Sequence, residues 1–183
     1  MRKLALALAA SAVCALSISP SAAVASVETV EAQMTAASAA SIARQDMIDT
    51  FGDEQPGPGE YLWRNVPASA GAERVVIGLS DQLAYLYRGE TLVAVASIST
   101  AKAPRITPTG IFTVLEKRPM YRSKKYDNAP MPFMQRIDTY GIAMHAGFNP
   151  GQPASHGCIR LPSAFAKKLY TVTNVGTPVL IGA

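Results

Sequence analysis

Residues 154–162, Ala-Ser-His-Gly-Cys-Ile-Arg-Leu-Pro, set a thiol beside a glycine and an imidazole, with a guanidinium two residues on. The chain has only two histidines, His145 and His156, and two cysteines, Cys14 and Cys158. A cysteine attacks as its thiolate, and a free thiol with a pKa of about 8.5 is only a few per cent ionised at neutral pH. A nearby imidazole takes the proton and activates the sulfur. His145 closes the strand-like stretch Tyr-Gly-Ile-Ala-Met-His, and the following Gly-Phe-Asn-Pro-Gly-Gln-Pro can fold the chain back. The spacing predicts two adjacent antiparallel edges that bring His145 to Cys158. Gly157 lets the backbone approach closely, so the N–H groups of Gly157 and Cys158 are candidate oxyanion donors. A helix predicted after Cys158 adds partial positive charge, provided that its N-terminus faces the thiol. A thiol, a base and small residues make an acyl-transfer site.

Blander readings stand beside this one. A free cysteine is often a small buried hydrophobe. His145, His156 and Cys158 together offer three ligands for an open zinc site, although their spacing is not that of the usual metal motifs. His156 reads as a structural residue that fixes the turn by a ring-to-backbone bond, rather than as the base. Arg160 reads as a loop brace or a holder of carboxylates. Met120, Met131, Met134 and Met144 read as core or lid packing. The run Tyr-Arg-Ser-Lys-Lys-Tyr at 121–126 reads as a solvated charged loop, and Trp63 as packing where an N-terminal arm meets the domain.

The elements that must position these groups occupy the C-terminal two thirds of the 183-residue chain. Residues 1–25 have Arg2 and Lys3, a short apolar run broken by serines and Pro20, and Ala23-Val24-Ala25, the pattern of a cleaved secretory signal. Cleavage would remove Cys14 and leave Cys158 as a lone thiol in an oxidising compartment, where cysteines ordinarily pair. Residues 26–60 carry seven acids and one base and end in a Pro/Gly-rich breaker, and are expected to be a flexible acidic arm with at most a short helix near 41–52. Residues 61–183 carry fourteen bases and six acids. A basic body suits an anionic partner such as a cell-wall polymer or a membrane face, and no basic–aromatic repeat points to nucleic acid.

From residue 61 the pattern turns to period two. Residues 73–80 and 82–88 flank Ser80-Asp81 as a hairpin, 91–100 follows as a third strand, and Thr-Pro-Thr-Gly at 107–110 bends into a fourth strand at 111–117. Residues 118–136 read as an irregular lid. Phe165, Leu169 and Val172 form one stripe of a helix after Pro162, and 177–182 reads as a last strand. The expected fold is mainly β, with one main helix after Cys158.

The signature Ser-His-Gly-Cys-Ile-Arg-Leu at 155–161, preceded by the strand-borne His145, resembles that of the L,D-transpeptidases, the YkuD-type catalytic domain. Residues 75–87, 107–114 and 141–147 match the order of that family's domain, so the resemblance spans roughly 73–182. It implies a β-sandwich or barrel-like catalytic domain with Cys158 as nucleophile and His145 as proton acceptor and donor. It implies backbone oxyanion donors at His156, Gly157 and Cys158, and a loop held by Ser155 and Arg160. Many members read His-Gly directly, whereas this chain has His145-Ala146-Gly147, so the carbonyl that orients the imidazole falls to Ala146. The implied substrate is a peptidoglycan tetrapeptide stem, cut after its diamino acid with loss of D-alanine. The thioester then passes to an amine of another stem or of an envelope protein, with no metal or cofactor. Carbapenems are the implied covalent inhibitors, and an exported, periplasmic or wall-facing location the implied setting. Three readings remain: transpeptidase, a carboxypeptidase or amidase that uses water on the same acyl-enzyme, and an inactive wall-binding module.

Overall fold

A computed structural model describes residues 26–183; the signal-like segment 1–25 lies outside the described residues. In chain order the elements are β1 (Ser26–Val27), α1 (Val30–Phe51), β2 (Tyr61–Trp63), β3 (Glu73–Gly78), β4 (Leu83–Arg88), β5 (Thr91–Ser97), β6 (Gly110–Thr113), β7 (Glu116–Arg122), β8 (Pro130–Arg136), β9 (Ala143–Ala146), β10 (Ile159–Leu161), α2 (Ser163–Val172) and β11 (Pro178–Gly182), with a short 3₁₀ turn at Ala68–Ala70. They form a seven-stranded sheet in the order β1-β6-β11-β3-β4-β5-β2 and a four-stranded sheet in the order β10-β9-β8-β7.

Strand alternation sorts the residues of the large sheet onto two faces. Val75, Ile77, Leu86, Phe112, Val179 and Ile181 point into the main core. There they meet Met144, Ile159 and Leu161 of the small sheet and Phe165 and Leu169 of α2. The intervening Val76, Tyr85, Tyr87 and Val95 point the other way, onto α1. The molecule is therefore layered: α1, the large sheet, then the small sheet with α2.

The fold is mainly β, but its helical part differs from the expectation of one helix. The expected flexible arm at 26–60 is corrected: β1 pairs with β6, and α1 runs 22 residues with Ala32, Ala36, Ala40, Ala43 and Met47 buried. Thr29 caps it by accepting from the Ala32 N–H at 3.3 Å. Tyr87 donates its hydroxyl to Asp46 of α1 at 2.6 Å. Small alanines let the helix lie close to the sheet: a Cβ added at Gly182 of β11 would stand 2.8 Å from the Ala37 Cα. Trp63 lies on edge strand β2 and packs edge-on against Phe165 of α2, with ring centroids 6.1 Å apart, rather than against an arm.

The hairpin at 73–88 forms as expected, antiparallel from Glu73↔Arg88 to Gly78↔Leu83. The single strand expected at 111–117 is instead two, β6 in the large sheet and β7 in the small one. The irregular lid expected at 118–136 is also corrected. Most of it is the antiparallel hairpin β7–β8, Glu116↔Arg136 to Arg122↔Pro130, and only residues 123–129 at its end are turn. Pro119 is tolerated because β7 is a sheet edge, and Pro130 and Pro132 lie in the part of β8 that does not pair with β9. No helix among the described residues is long and apolar enough to cross a membrane.

Candidate active site

His145 stands on β9 and Cys158 immediately before β10, and the two strands are neighbours. They pair in parallel, Ile159↔Met144, Arg160↔His145 and Leu161↔Ala146, not antiparallel as the spacing predicted. A parallel pair needs a connection of about a dozen residues, and 147–158 supplies it. Asn149 pins that connection to β5, donating from Nδ2 to the Ser97 carbonyl at 2.8 Å. Alternation then sends Met144, Ile159 and Leu161 into the core and turns His145, Cys158 and Arg160 to the other face. That face opens into a cleft of about 1170 Å³ walled by the β7–β8 hairpin, the Arg105–Ile106 segment and the Tyr140–Ala143 corner.

The loop that carries Cys158 is held from several sides. Ser155 is buried; its hydroxyl donates to the Cys158 carbonyl at 2.6 Å and accepts the Gly157 N–H at 3.1 Å. Thr107 donates to the Gly157 carbonyl at 2.8 Å. Gly157 has φ +139°, and a Cβ there would stand 2.6 Å from Ile142 Cδ1, so only glycine fits. The N–H of Gly157 is therefore engaged within the loop, contrary to its expected use. The N–H groups of His156 and Cys158 donate to no protein acceptor among the described residues. The main chain of Arg160 exchanges hydrogen bonds with Ser99 at 2.9 and 3.0 Å, and its guanidinium forms no ion pair among the described residues.

His145 Nδ1 lies 2.8 Å from the Ala146 carbonyl. A carbonyl only accepts, so Nδ1 carries the hydrogen and Nε2 keeps its lone pair. Burial holds the His145 pKa below its usual value; the Ala146 bond opposes this and the Arg160 charge adds to it. Burial likewise pushes the Cys158 thiol up; the Ala143 backbone opposes this, Asp138 reinforces it, and Arg160 and Arg136 oppose it. Both shifts favour the uncharged forms of the imidazole and the thiol over the ion pair that the residue types suggested. The thiol donates to the Gly141 carbonyl at 3.8 Å. β10 and Pro162 intervene between Cys158 and the start of α2, so the thiol does not belong to that helix's first turn.

His156 is exposed and makes no ring-to-backbone bond among the described residues; it stacks on Tyr126, centroids 4.6 Å apart and planes at 22°. Arg105 donates to the Tyr126 hydroxyl at 3.1 Å. The run at 121–126 is therefore part of the cleft wall rather than only a solvated loop. With His156 turned to Tyr126, no three His, Cys, Asp or Glu residues gather to hold a metal among the described residues. Met131 and Met134 pack under Cys158, Met144 is core and Met120 is exposed. Around the cleft stand Arg105, Lys124, Lys125, Arg136 and Arg160 against the single acid Asp127.

Sequence reading missed Thr107, Tyr126 and Asp138. Thr107 sat inside a bend signal. Asp138, in an unremarkable Ile-Asp-Thr-Tyr, carried no motif.

Residues 72–181 match the family model of the L,D-transpeptidase catalytic domain, YkuD. Among curated proteins none matches the chain significantly. The fold is similar to an L,D-transpeptidase from Stackebrandtia nassauensis, at 20% identity over 75% of this chain and 62% of that one, with a TM-score of 0.57. It is similar to residues 123–326 of the L,D-transpeptidase from Xylanimonas cellulosilytica, at 27% identity over 65% and 64%, TM-score 0.54. It is also similar to L,D-transpeptidase 3 from Mycobacterium tuberculosis, solved with a faropenem-derived adduct, at 20% identity over 61% and 60%, TM-score 0.56. The chain spans less than two thirds of the length of each of these relatives. The family match covers more than half of the sequence and contains both His145 and Cys158, and the chain belongs to the L,D-transpeptidase catalytic-domain family.

Proposed function

We propose that this protein is a cysteine-dependent L,D-transpeptidase of peptidoglycan. The observation that carries the reading is the 2.8 Å contact of His145 Nδ1 with the Ala146 carbonyl, which leaves Nε2 as a base in the cleft that holds Cys158. Cys158 Sγ attacks the L-centre carbonyl of the diamino acid in a tetrapeptide stem, meso-diaminopimelate in most Gram-negative walls, as its proton passes to His145. The tetrahedral oxyanion is held by the N–H groups of His156 and Cys158. Collapse breaks the amide bond, and D-alanine leaves with the proton that His145 returns. An acceptor amine attacks the thioester, gives its proton to His145, and the thiol is restored.

The basic cleft rim suits the carboxylates of such stems, with Arg160 free to hold one. The acceptor is a second stem or an envelope protein amine; water in its place gives a carboxypeptidase or amidase. The faropenem-derived adduct of the mycobacterial relative supports acylation of Cys158 by β-lactams, and a similar L,D-transpeptidase solved in complex with imipenem extends that support to carbapenems. The chain works on the wall-facing side of a membrane, a reading that rests on the composition of residues 1–25.

Incubating the protein with a disaccharide-tetrapeptide and weighing the products tests the reading. A cross-linked dimer supports it, a tripeptide alone means hydrolysis, and no turnover by a folded protein means an inactive binding module.

A further inference from the structure

Asp138 lies at the corner between β8 and β9 and is only 2% exposed. It forms no ion pair among the described residues. Its Oδ1 accepts three successive backbone N–H groups, Tyr140 at 3.0 Å, Gly141 at 2.7 Å and Ile142 at 2.7 Å. The Ile137 N–H closes the same corner onto the Ile142 carbonyl at 2.9 Å. One carboxylate oxygen therefore organises the whole turn, and a buried side chain with three charge-assisted bonds is a stiff support.

That turn meets the Cys158 loop twice. The Gly141 carbonyl takes the thiol at 3.8 Å, and Ile142 fills the space beside Gly157. Directly beyond it, Ala143 lies against the sulfur through its backbone, and His145 follows on the same strand. The charged groups that bear on the thiol are Asp138 from the corner, Arg160 from β10 and Arg136 from β8. Arg136 is already paired with Glu116 at 2.8 Å. His145 is the titratable group from β9, and Tyr121 that from β7.

We propose that Asp138 is a positioning residue for Cys158: through the three N–H groups it holds, it aims the Gly141 carbonyl at the thiol, and it sets its own carboxylate at the same corner. This rests on the reading of Cys158 as nucleophile. It assigns the corner a double duty. The geometry presents the sulfur to the cleft, and the charge prevents a standing thiolate, which would be open to oxidation and alkylation.

Alkylation of the purified protein by iodoacetamide across a pH series tests this. Asp138→Asn keeps an oxygen for the three N–H groups and removes the charge. It should alkylate about tenfold faster than wild type at neutral pH, with its profile moved to lower pH and its melting little changed. Asp138→Ala should move the profile as well and also lower melting. A Asp138→Asn profile that superimposes on wild type overturns the proposal, since a purely structural role predicts that result. Should Asp138→Asn fail to fold, NMR titration of the wild-type Cys158 Cβ decides. A midpoint above that of a free thiol is expected, and one at or below it overturns the protonated resting state. Alkylation needs no peptidoglycan, so these outcomes are separate from whether the protein cross-links stems.

Discussion

Arg160 lies directly across the β9–β10 ladder from His145, a fixed cation in register with the cleft imidazole. Burial and this charge both hold the His145 pKa below the 6.5 usual for an imidazole. The base therefore stays neutral and competent below that pH. Arg160→Gln removes one of the two causes, so the acid limb of the acylation rate should move up toward neutral pH. A limb that stays in place would show that burial alone sets it. The same shift affects stability. Between 6.5 and the lowered folded value the unfolded chain binds the extra proton, so stability falls as pH falls through that window and levels off beneath it. Urea midpoints from pH 7 to 5 should show this slope in wild type and lose part of it in His145→Gln.

Cys158 should react slowly with simple alkylating agents at neutral pH yet be acylated efficiently by a carbapenem, whose strained carbonyl His145 can help it attack. Intact mass should show one adduct per chain. Cys158→Ala should show none, with unchanged melting, because the thiol contributes little packing. Alkylation faster than a free thiol would contradict the neutral resting pair.

Tyr126 joins the end of the β7–β8 hairpin to His156, and Arg105 holds its hydroxyl. Tyr126→Ala removes a stack worth about 0.5–1.5 kcal/mol and should loosen that wall of the cleft. More water then reaches the thioester, so tripeptide should rise relative to cross-linked dimer when products are weighed. An unchanged ratio would mean that the hairpin end does not govern access.

Met47→Ala should cost about 2–5 kcal/mol, since Met47 is fully buried between α1 and the sheet, while leaving the acylation rate of folded protein unchanged. A protein starting at Tyr61 should fail to fold, because Val76, Leu83, Tyr85, Tyr87 and Val95 would lose their cover. Cooperative unfolding with wild-type melting would return α1 to the status of an appendage.

The catalytic half of the molecule was legible because its signals are local. The His-Gly-Cys run, the Ser80-Asp81 turn and the stripe of α2 each announce themselves within a few residues. The long helix was not, because its buried face is written in alanine. Ala32, Ala36, Ala40 and Ala43 keep helical spacing, but Met34 and Ile42, 68% and 58% exposed, lie on the outer face and erase the contrast in hydropathy. The direction of β9 against β10 was illegible for another reason: a loop of Gly and Pro shows that the chain turns, not how many times. Asp138 was invisible because its partners are backbone groups, which every residue possesses.

β11, residues 178–182, is an interior strand of the large sheet, between β6 and β3, with α1 lying across it. A strand from residues 178–182 is thus the support of a helix from residues 30–51. Until residues 178–182 are in place, β6 and β3 have no strand between them. Closure joins segments far apart in sequence, which makes it slow and places it late. Topology thereby makes one short strand a checkpoint: without it β1-β6 stands apart from β3-β4-β5-β2, and α1 loses part of the surface it lies on.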